Sequence, residues 1–478
     1  MNLNDRPGPT DAPVGILASL CQSQRLAFRD DPYPSAESRI ARLDALARLI
    51  RRNADAIAAA ISRDFGNRST HETRLLEVFP ALEAIAHARK HLRGWMRARR
   101  RSTGLWFLPG GSRIVPQPLG VAGIVVPWNY PLLLAAGPMV AALAAGNRVL
   151  VKMSETTPAT GALFERLVAE AFPAGEAVVV NGDAEVAQAF CRLPFDHLLF
   201  TGSTAVGRHV MRAAADNLTP VTLELGGKSP AIVGRGFPLA EAAGRILFGK
   251  CLNAGQTCIA PDYVLVPQES LEAFVGHAGE TVRSLYPAIA ANPDFTAVVD
   301  ERHRARLRGL VDDAVRAGAR AVPLGGAGER LEGTGRIAPT ILTGVTDAMA
   351  VMREEIFGPV LPVIGYGDLE EAIAFVNARP RPLALYLFEH DRGSVDRVLE
   401  RTISGGVTLN DTLLHVAQED LPFGGVGASG IGRYHGREGF ETFSHLKPVF
   451  HQSRLNGLPL FRPPYGKRFE ALIKLLVR

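Results

Sequence analysis

From Ser35 to about Arg101, Leu43, Leu46 and Leu49, and then Leu75, Val78, Leu82 and Ile85, recur at helical spacing among many Ala, Arg and Glu. This pattern predicts a helical lead-in. From Val121 it changes to short β-branched runs: VAGIVV (121–126), RVLVK (148–152), AVVVN (177–181), HLLF (197–200) and VTLEL (221–225). Between them, LLLAAGPMVAALAAG (132–146) and ATGALFERLVAEAF (159–172) have helix length and composition. Such alternation makes parallel pairing with right-handed crossovers the expected solution, a doubly wound domain of the nucleotide-binding type.

A second series begins near Gly227. Residues 238–253 read as a helix leading into GQTC; YVLVP (263–267), PTILTG (339–344), PVLPVIGY (359–366) and LALYLF (383–388) read as strands. EAFVGHAGETVRSL (272–285), RARLRGLVDDAVRAG (304–318) and LEEAIAFVNAR (369–379) read as helices. A second α/β domain is expected, with the boundary at LGGKSP (225–230), where two glycines and a proline break regular structure.

Composition narrows the class without choosing a function. The 478 residues carry 53 basic against 48 acidic side chains, a net charge of +5, with 47% apolar residues. Disorder, collagen and small disulfide scaffolds are excluded, and so slight a positive excess does not make nucleic acid the expected partner. The cysteines, Cys21, Cys191, Cys251 and Cys258, form no CxxC pair and no regular framework, which fits a reducing cytoplasm. The opening MNLNDRPGPTDAPVG, with Asp5 and Asp11, lacks the apolar stretch of a signal peptide. The weakly polar run Tyr130 to Gly146 falls short of the ~18–20 residues needed to cross a bilayer and reads as a buried helix.

Two charged features call for a bland reading. RKHLRGWMRARRR (89–101) reads as a solvated face in preference to an anion or membrane patch. His87 and His91 stand at i and i+4, but no glutamate of an HExxH motif accompanies them, so no metal site is expected.

Covalent catalysis on a carbonyl needs a nucleophile in a tight turn, a base and oxyanion donors. GQTCIAP sets Cys258 just after Gly255 at a helix end, TLELGGKSP sets Glu224 at the end of an apolar strand, and PWNYP holds Asn129 in a turn between prolines. Each alone is weak, since buried cysteines mostly pack, turn asparagines mostly bond locally and strand-end glutamates mostly face water.

Together these segments resemble the aldehyde dehydrogenase superfamily. The matching signatures are PWNYP (127–131), KMSE (152–155), FTGSTAVG (200–207), ELGGKSP (224–230), GQTC (255–258), EEIFGPV (354–360) and LPFGGVGASG (421–430), in the family's order. The 34 residues from Glu224 to Cys258 match the family's spacing. Tyr130, DFGNRS (64–69) and the RPPYGKRF tail (462–469) resemble the class 3 branch, particularly its coniferyl aldehyde dehydrogenases. The departures are Met153, where many relatives have proline, and Ala428, where asparagine is common.

The resemblance implies two doubly wound α/β domains plus a small β oligomerisation element. It places the cofactor domain at 1–104 and 119–226, the catalytic domain at 227–410, the oligomerisation element at 105–118 and 444–455, an active-site loop and return at 411–443, and a tail at 456–478. It implies NAD(P)-dependent oxidation of an aldehyde, aromatic of the coniferyl type or medium to long chain, to the acid. Cys258 would attack the carbonyl, Asn129 and the Cys258 N–H would hold the oxyanion, hydride would pass to nicotinamide, and Glu224 would activate water to hydrolyse the thioester. Cys251 reads as a small core residue.

For the cofactor, Gly202, Ser203 and Gly207 open a helix suited to pyrophosphate. By resemblance, Lys152 and Glu155 meet the adenosine ribose, and Glu355, Phe357 and Trp128 the nicotinamide end. The carboxylate of Glu155 favours NAD over NADP, with NADP as a second candidate because Lys152 is cationic. The literal GxGxxG at Gly425–Gly430 follows no strand and is a decoy. A basic amphipathic tail helix carrying Phe469, Leu472, Ile473 and Leu476 is expected to pack on the body or a partner subunit before a membrane. The expected assembly is a cytoplasmic homodimer with no integral membrane segment. The rival readings are a CoA-acylating relative, against which Glu224 speaks, and a catalytically silent one.

Overall fold

A computed structural model describes residues 14–325 and 328–477. The reading of the opening residues through Asp5 and Asp11 lies outside the described residues.

The strands are β1 (Arg99–Arg101), β2 (Gly111–Pro118), β3 (Val121–Val125), β4 (Arg148–Lys152), β5 (Ala177–Val180), β6 (His197–Gly202), β7 (Val221–Leu225), β8 (Pro230–Val233) and β9 (Tyr263–Pro267). They continue with β10 (Arg320–Pro323), β11 (Thr340–Thr343), β12 (Val360–Tyr366), β13 (Ala384–Phe388), β14 (Gly406–Leu409), β15 (Gly430–Ile431) and β16 (Ser444–His451). One sheet has the order β15-β7-β6-β3-β4-β5, parallel except for β15 at its edge. A second has the order β10-β11-β12-β9-β8-β13-β14, parallel except for β10. The chain passes from the first sheet to the second between Leu225 and Pro230. A third, antiparallel sheet, β1-β2-β16, joins residues far apart in sequence.

The parallel strands are covered on both faces by helices, so β3 and β4 are buried at every position and read as continuous apolar runs. The helix Leu133–Ala145 is apolar all round and lies inside the protein, ending at Gly146 with φ +97°. The largest apolar cluster runs from Leu43 and Ile85 on the lead-in helices through Ile124 and Val151 to Val264 and Phe388, uniting both halves.

The strand and helix expectations hold in most places, and the differences have local reasons. The helix Val14–Asp30, absent from the sequence reading, buries Leu17 and Cys21 against the sheet carrying Val121 and Leu150. Strands β8 and β14 are only four residues long. Within the basic run, Arg99–Arg101 is strand, not helix, and pairs with β2. The expected strand at 105–118 begins only at Gly111, because Leu105–Phe107 forms a 3₁₀ turn. The rest of the basic run is a surface helix face on which Arg89 pairs with Asp44 and Arg93 with Glu37, each at 2.8 Å.

The tail helix Lys467–Leu476 forms, but none of its residues is buried, so it does not pack into the body of its own chain. Among the described residues no helix is long and apolar enough to cross a membrane. His87 Nε2 lies 3.2 Å from Asp420 Oδ1, and the His87 carbonyl is 3.1 Å from His91 Nδ1.

Candidate active site

The helix Leu239–Cys251 ends in a turn whose residues Asn253, Ala254 and Gly255 have φ of +51°, +51° and +73°. Left-handed backbone in two consecutive non-glycine residues stores strain, and such strain concentrates at functional turns. Buried hydrogen bonds hold it: Asn253 Nδ2 donates to Asn129 O at 3.0 Å, and Gln256 Nε2 donates to Asn253 O at 2.9 Å and to Ala297 O at 3.1 Å. The turn delivers Cys258, partly exposed, to the junction of two cavities. Cys251 is buried in the core, as its sequence context suggests.

Asn129 enters from the end of β3. Its Nδ2 donates to Gln256 O at 3.1 Å, which leaves its second N–H free. Its backbone carbonyl accepts from the wholly buried Arg68, Nη1 to O 3.0 Å. The same Nη1 donates to Glu77 Oε1 at 2.7 Å, while Glu77 Oε2 accepts the N–H groups of Leu132 at 2.7 Å and Leu133 at 3.1 Å. Glu77 therefore caps the start of the buried helix that follows Asn129. The Arg68 guanidinium also lies 4.7 Å from the centre of the Tyr130 ring. The bonding of this network was not read from the sequence: Arg68 appears there only within DFGNRS (64–69) as a mark of resemblance, and Glu77 has nothing to single it out.

Glu224 sits on β7, paired across to Gly430 of β15, and both its carboxylate oxygens are buried without a hydrogen-bond partner. Burial raises its pKa well above the usual carboxylate range. Glu355 is also enclosed, its Oε1 without a partner, and burial with the nearby Asp262 raises it to about 8. A Cβ on Gly226 would stand 1.9 Å from Glu355 Oε2, so a side chain there would displace this carboxyl. Burial and the charges of Glu355 and Glu224 raise the Cys258 thiol, while the N–H groups of Cys258 and Ile259 oppose the shift. With the thiol held in its neutral form, attack requires a proton acceptor close by.

The first cavity, about 860 Å³, is mainly apolar and is lined by Leu76, Tyr130, Leu133, Phe248, Leu413 and Phe423 besides Cys258. The second, about 330 Å³, collects Trp128, Asn129, Gly202, Ser203, Glu224, Cys258, Glu355 and Phe357. Eight of the eleven residues singled out from the sequence thus share one crevice. Phe357, with φ +52°, meets the Trp128 ring edge-on at 5.4 Å. Ser203 is the N-cap of the helix Thr204–Ala215, which carries no acid in its first turn.

The other three lie elsewhere. Glu155 is exposed, and Lys152 is buried with Nζ donating to Met153 O and Gly182 O, both at 2.7 Å. Gly207 faces inward, where a Cβ would meet Leu225 Cδ2 at 2.6 Å, so helix–sheet packing by itself accounts for a glycine at this position. The glycine-rich loop at 425–430 folds back on itself and delivers β15 to Glu224. Two further crevice residues were missed, His303 and Arg306. Arg306 donates to Ile356 O at 2.8 Å and so fixes the segment bearing Glu355 and Phe357; in sequence it reads as one more cation on a surface helix.

A partly exposed cysteine, an unpaired carboxyl and a free amide N–H at one junction suit carbonyl chemistry, and comparison with known proteins decides its kind. Residues 19–449 match the aldehyde dehydrogenase family. The chain belongs to that family. It is an NAD(P)-dependent aldehyde oxidoreductase. Among its relatives, a protein described as a probable coniferyl aldehyde dehydrogenase of Pseudomonas aeruginosa is 55% identical, with 97% of each chain covered. The coniferyl aldehyde dehydrogenase of Pseudomonas sp. strain HR199 is 46% identical, with 98% of each covered. Among solved structures, the substrate-bound state of Staphylococcus aureus AldH superposes with a TM-score of 0.91 at 39% identity, covering 96% of this chain and 99% of that one. An aldehyde dehydrogenase of Mycobacterium tuberculosis complexed with NAD+ gives a TM-score of 0.82 at 31% identity, covering 92% and 91%. The two-domain α/β architecture is that of these enzymes.

Proposed function

We propose that this aldehyde dehydrogenase oxidises aromatic aldehydes of the cinnamyl type to their acids, using NAD and a thioester on Cys258 that water hydrolyses. The observation that carries the reading is the position of Cys258 between an apolar cavity and a narrower crevice holding Glu224 and Glu355. An aldehyde with a ring suits the first and a dinucleotide the second. The names of the coniferyl relatives support the aromatic class.

In this mechanism the Cys258 thiol loses its proton to solvent, a step Glu224 assists without being required for it or keeping the proton, and Sγ bonds to the carbonyl carbon. The oxyanion accepts the free N–H of Asn129 and the N–H of Cys258. Arg68 acts through the Asn129 carbonyl, holding the amide before the substrate arrives. When bound, the dinucleotide supplies the hydride acceptor. Glu224 then removes a proton from water, whose oxygen attacks the thioester carbonyl and releases the acid and the Cys258 thiolate.

The crevice fits the nicotinamide end. The enclosed, unpartnered Glu355 Oε1 can accept from ribose hydroxyls, Trp128 and Phe357 offer flat surfaces, and the start of the Thr204–Ala215 helix suits a pyrophosphate. Two features favour NAD over NADP: the exposed Glu155 carboxylate repels a 2′-phosphate, and two carbonyls already engage the Lys152 ammonium.

Hydrolysis is favoured over transfer to CoA because a base at Glu224 serves water and is superfluous for a thiolate. A homodimer through β2 and β16, with the exposed Phe450 of β16 and the nearby exposed Trp106, belongs to the same reading, as does a cytoplasmic location for four free cysteines. The test is NADH formation from aliphatic, benzylic and cinnamyl aldehydes, with each dinucleotide, with and without CoA. The reading expects cinnamyl aldehydes with NAD and no CoA to give the highest kcat/KM; strict dependence on CoA would overturn it.

A further inference from the structure

The apolar cavity beside Cys258 is not apolar throughout. Most of its wall is formed by residues such as Leu76, Leu133, Val140 and Leu413; Lys90, Arg245 and Asp411 also line it, and Glu83, His87, Glu419 and His435 come together around Gly436. Glu83 is solvent-exposed and His87 is paired with Asp420. Among the described residues Glu419 and His435 have no ion-pair partner.

Glu419 is partly buried, and burial together with the charges of Glu83 and Asp420 pushes its carboxyl up to about 7, opposed by the Gly436 N–H. The loop around it is tightly made. Gly436 has φ +48°, and a Cβ there would stand 2.1 Å from the Glu419 carbonyl oxygen, so the site depends on a glycine at that position. His435, itself with φ +110°, stacks on Phe423 at 5.3 Å, and its Nδ1 is enclosed with no partner. Burial holds its imidazole neutral, with a pKa of about 4. Tyr434, between these residues and the chemistry, lines both cavities and feels the charges of Glu224, Cys258 and Glu419. A carboxyl crowded by like charges and a ring nitrogen without a partner are both costly in the empty protein. A ligand donor placed among them offsets that cost.

We propose that Glu419 determines specificity within this cavity by accepting a hydrogen bond from a hydroxyl on the ring of the substrate, so that phenolic aldehydes are chosen over their unsubstituted counterparts. The inference rests on the aromatic-aldehyde reading and deepens it. The aldehyde carbon lies at Cys258, the ring fills the apolar wall, and the hydroxyl reaches the side where Glu419 and His435 stand. A site built to pair a buried hydroxyl rejects the analogue that lacks it more strongly than an apolar pocket rejects a missing methylene.

The experiment compares kcat/KM for 4-hydroxycinnamaldehyde and cinnamaldehyde in the wild type, Glu419→Gln and Glu419→Leu. The wild type is expected to favour the phenol by about tenfold or more. That ratio should fall to near one in Glu419→Leu and to an intermediate value in Glu419→Gln, whose amide oxygen still accepts. A wild-type ratio near one, or a ratio that survives in Glu419→Leu, overturns the inference while cinnamaldehyde turnover leaves the aromatic reading standing. A wild type that oxidises aliphatic aldehydes and neither cinnamyl compound overturns both.

Discussion

The Tyr130 hydroxyl lies 2.6 Å from the Thr257 hydroxyl, in a bond that joins the residue after Asn129 to the residue before Cys258. The proposed oxyanion donor and nucleophile are thus tied by one buried contact as well as by the Asn129–Gln256 bond. Tyr130→Phe keeps the ring and removes the tie. A net hydrogen bond of about 1 kcal/mol corresponds to roughly fivefold, so kcat should fall by about that factor while dinucleotide affinity holds. Parallel stopped-flow kinetics and NADH binding check it; unchanged kcat would remove this contact from the mechanism.

Arg68→Met is a harsher change. It leaves Glu77 buried without its cation and the Asn129 carbonyl with Asn253 Nδ2 as its remaining donor, and breaking one partner of a buried pair costs roughly 3–5 kcal/mol. A lower denaturation midpoint is expected, together with a kcat loss larger than in Tyr130→Phe. Adding Glu77→Gln should recover stability more than activity, because the Asn129 carbonyl still lacks the Arg68 donor. Equal recovery of both would make the pair purely structural.

Glu224→Gln removes the proposed base of hydrolysis. An initial burst of NADH equal to the enzyme concentration, followed by slow turnover, is expected in rapid-mixing experiments. Loss of the burst would place the main role of Glu224 before the thioester.

Glu355 makes a prediction about stability and pH. Its carboxyl holds a proton to about pH 8 in the folded chain, against 4.5 as the ordinary value. Between those limits the unfolded chain has released a proton that the folded chain keeps, so this residue makes stability fall as pH rises, and above about pH 8 its slope vanishes. Glu355→Gln in the cofactor-free protein should therefore lose less stability than the wild type between about pH 5 and pH 9 in thermal denaturation. Identical slopes would contradict the burial.

The alternation of strands and helices, the buried helix after Asn129 and the positions of Cys258 and Glu224 are legible because apolar periodicity and the signature segments coincide there. Short elements escape that reading: β8 has four residues and β15 two, and their pairing is decided by distant strands. Buried charge escapes it too. Arg68 and Glu77 look like their solvated neighbours until the fold encloses them, and Arg306 looks like any surface cation until it reaches Ile356. Gly207 carries a second reason the sequence alone does not display, since packing against Leu225 also calls for a glycine there.

The central claim is that the acyl group is carried by Cys258. Glu224→Gln, mixed with NAD and cinnamaldehyde and quenched in acid during turnover, should yield by peptide mass spectrometry a cinnamoyl mass increment on the fragment containing Cys258, absent when Cys258→Ala is added. An increment on Cys251 or any other side chain, or persistence of the adduct in the double variant, would contradict the account.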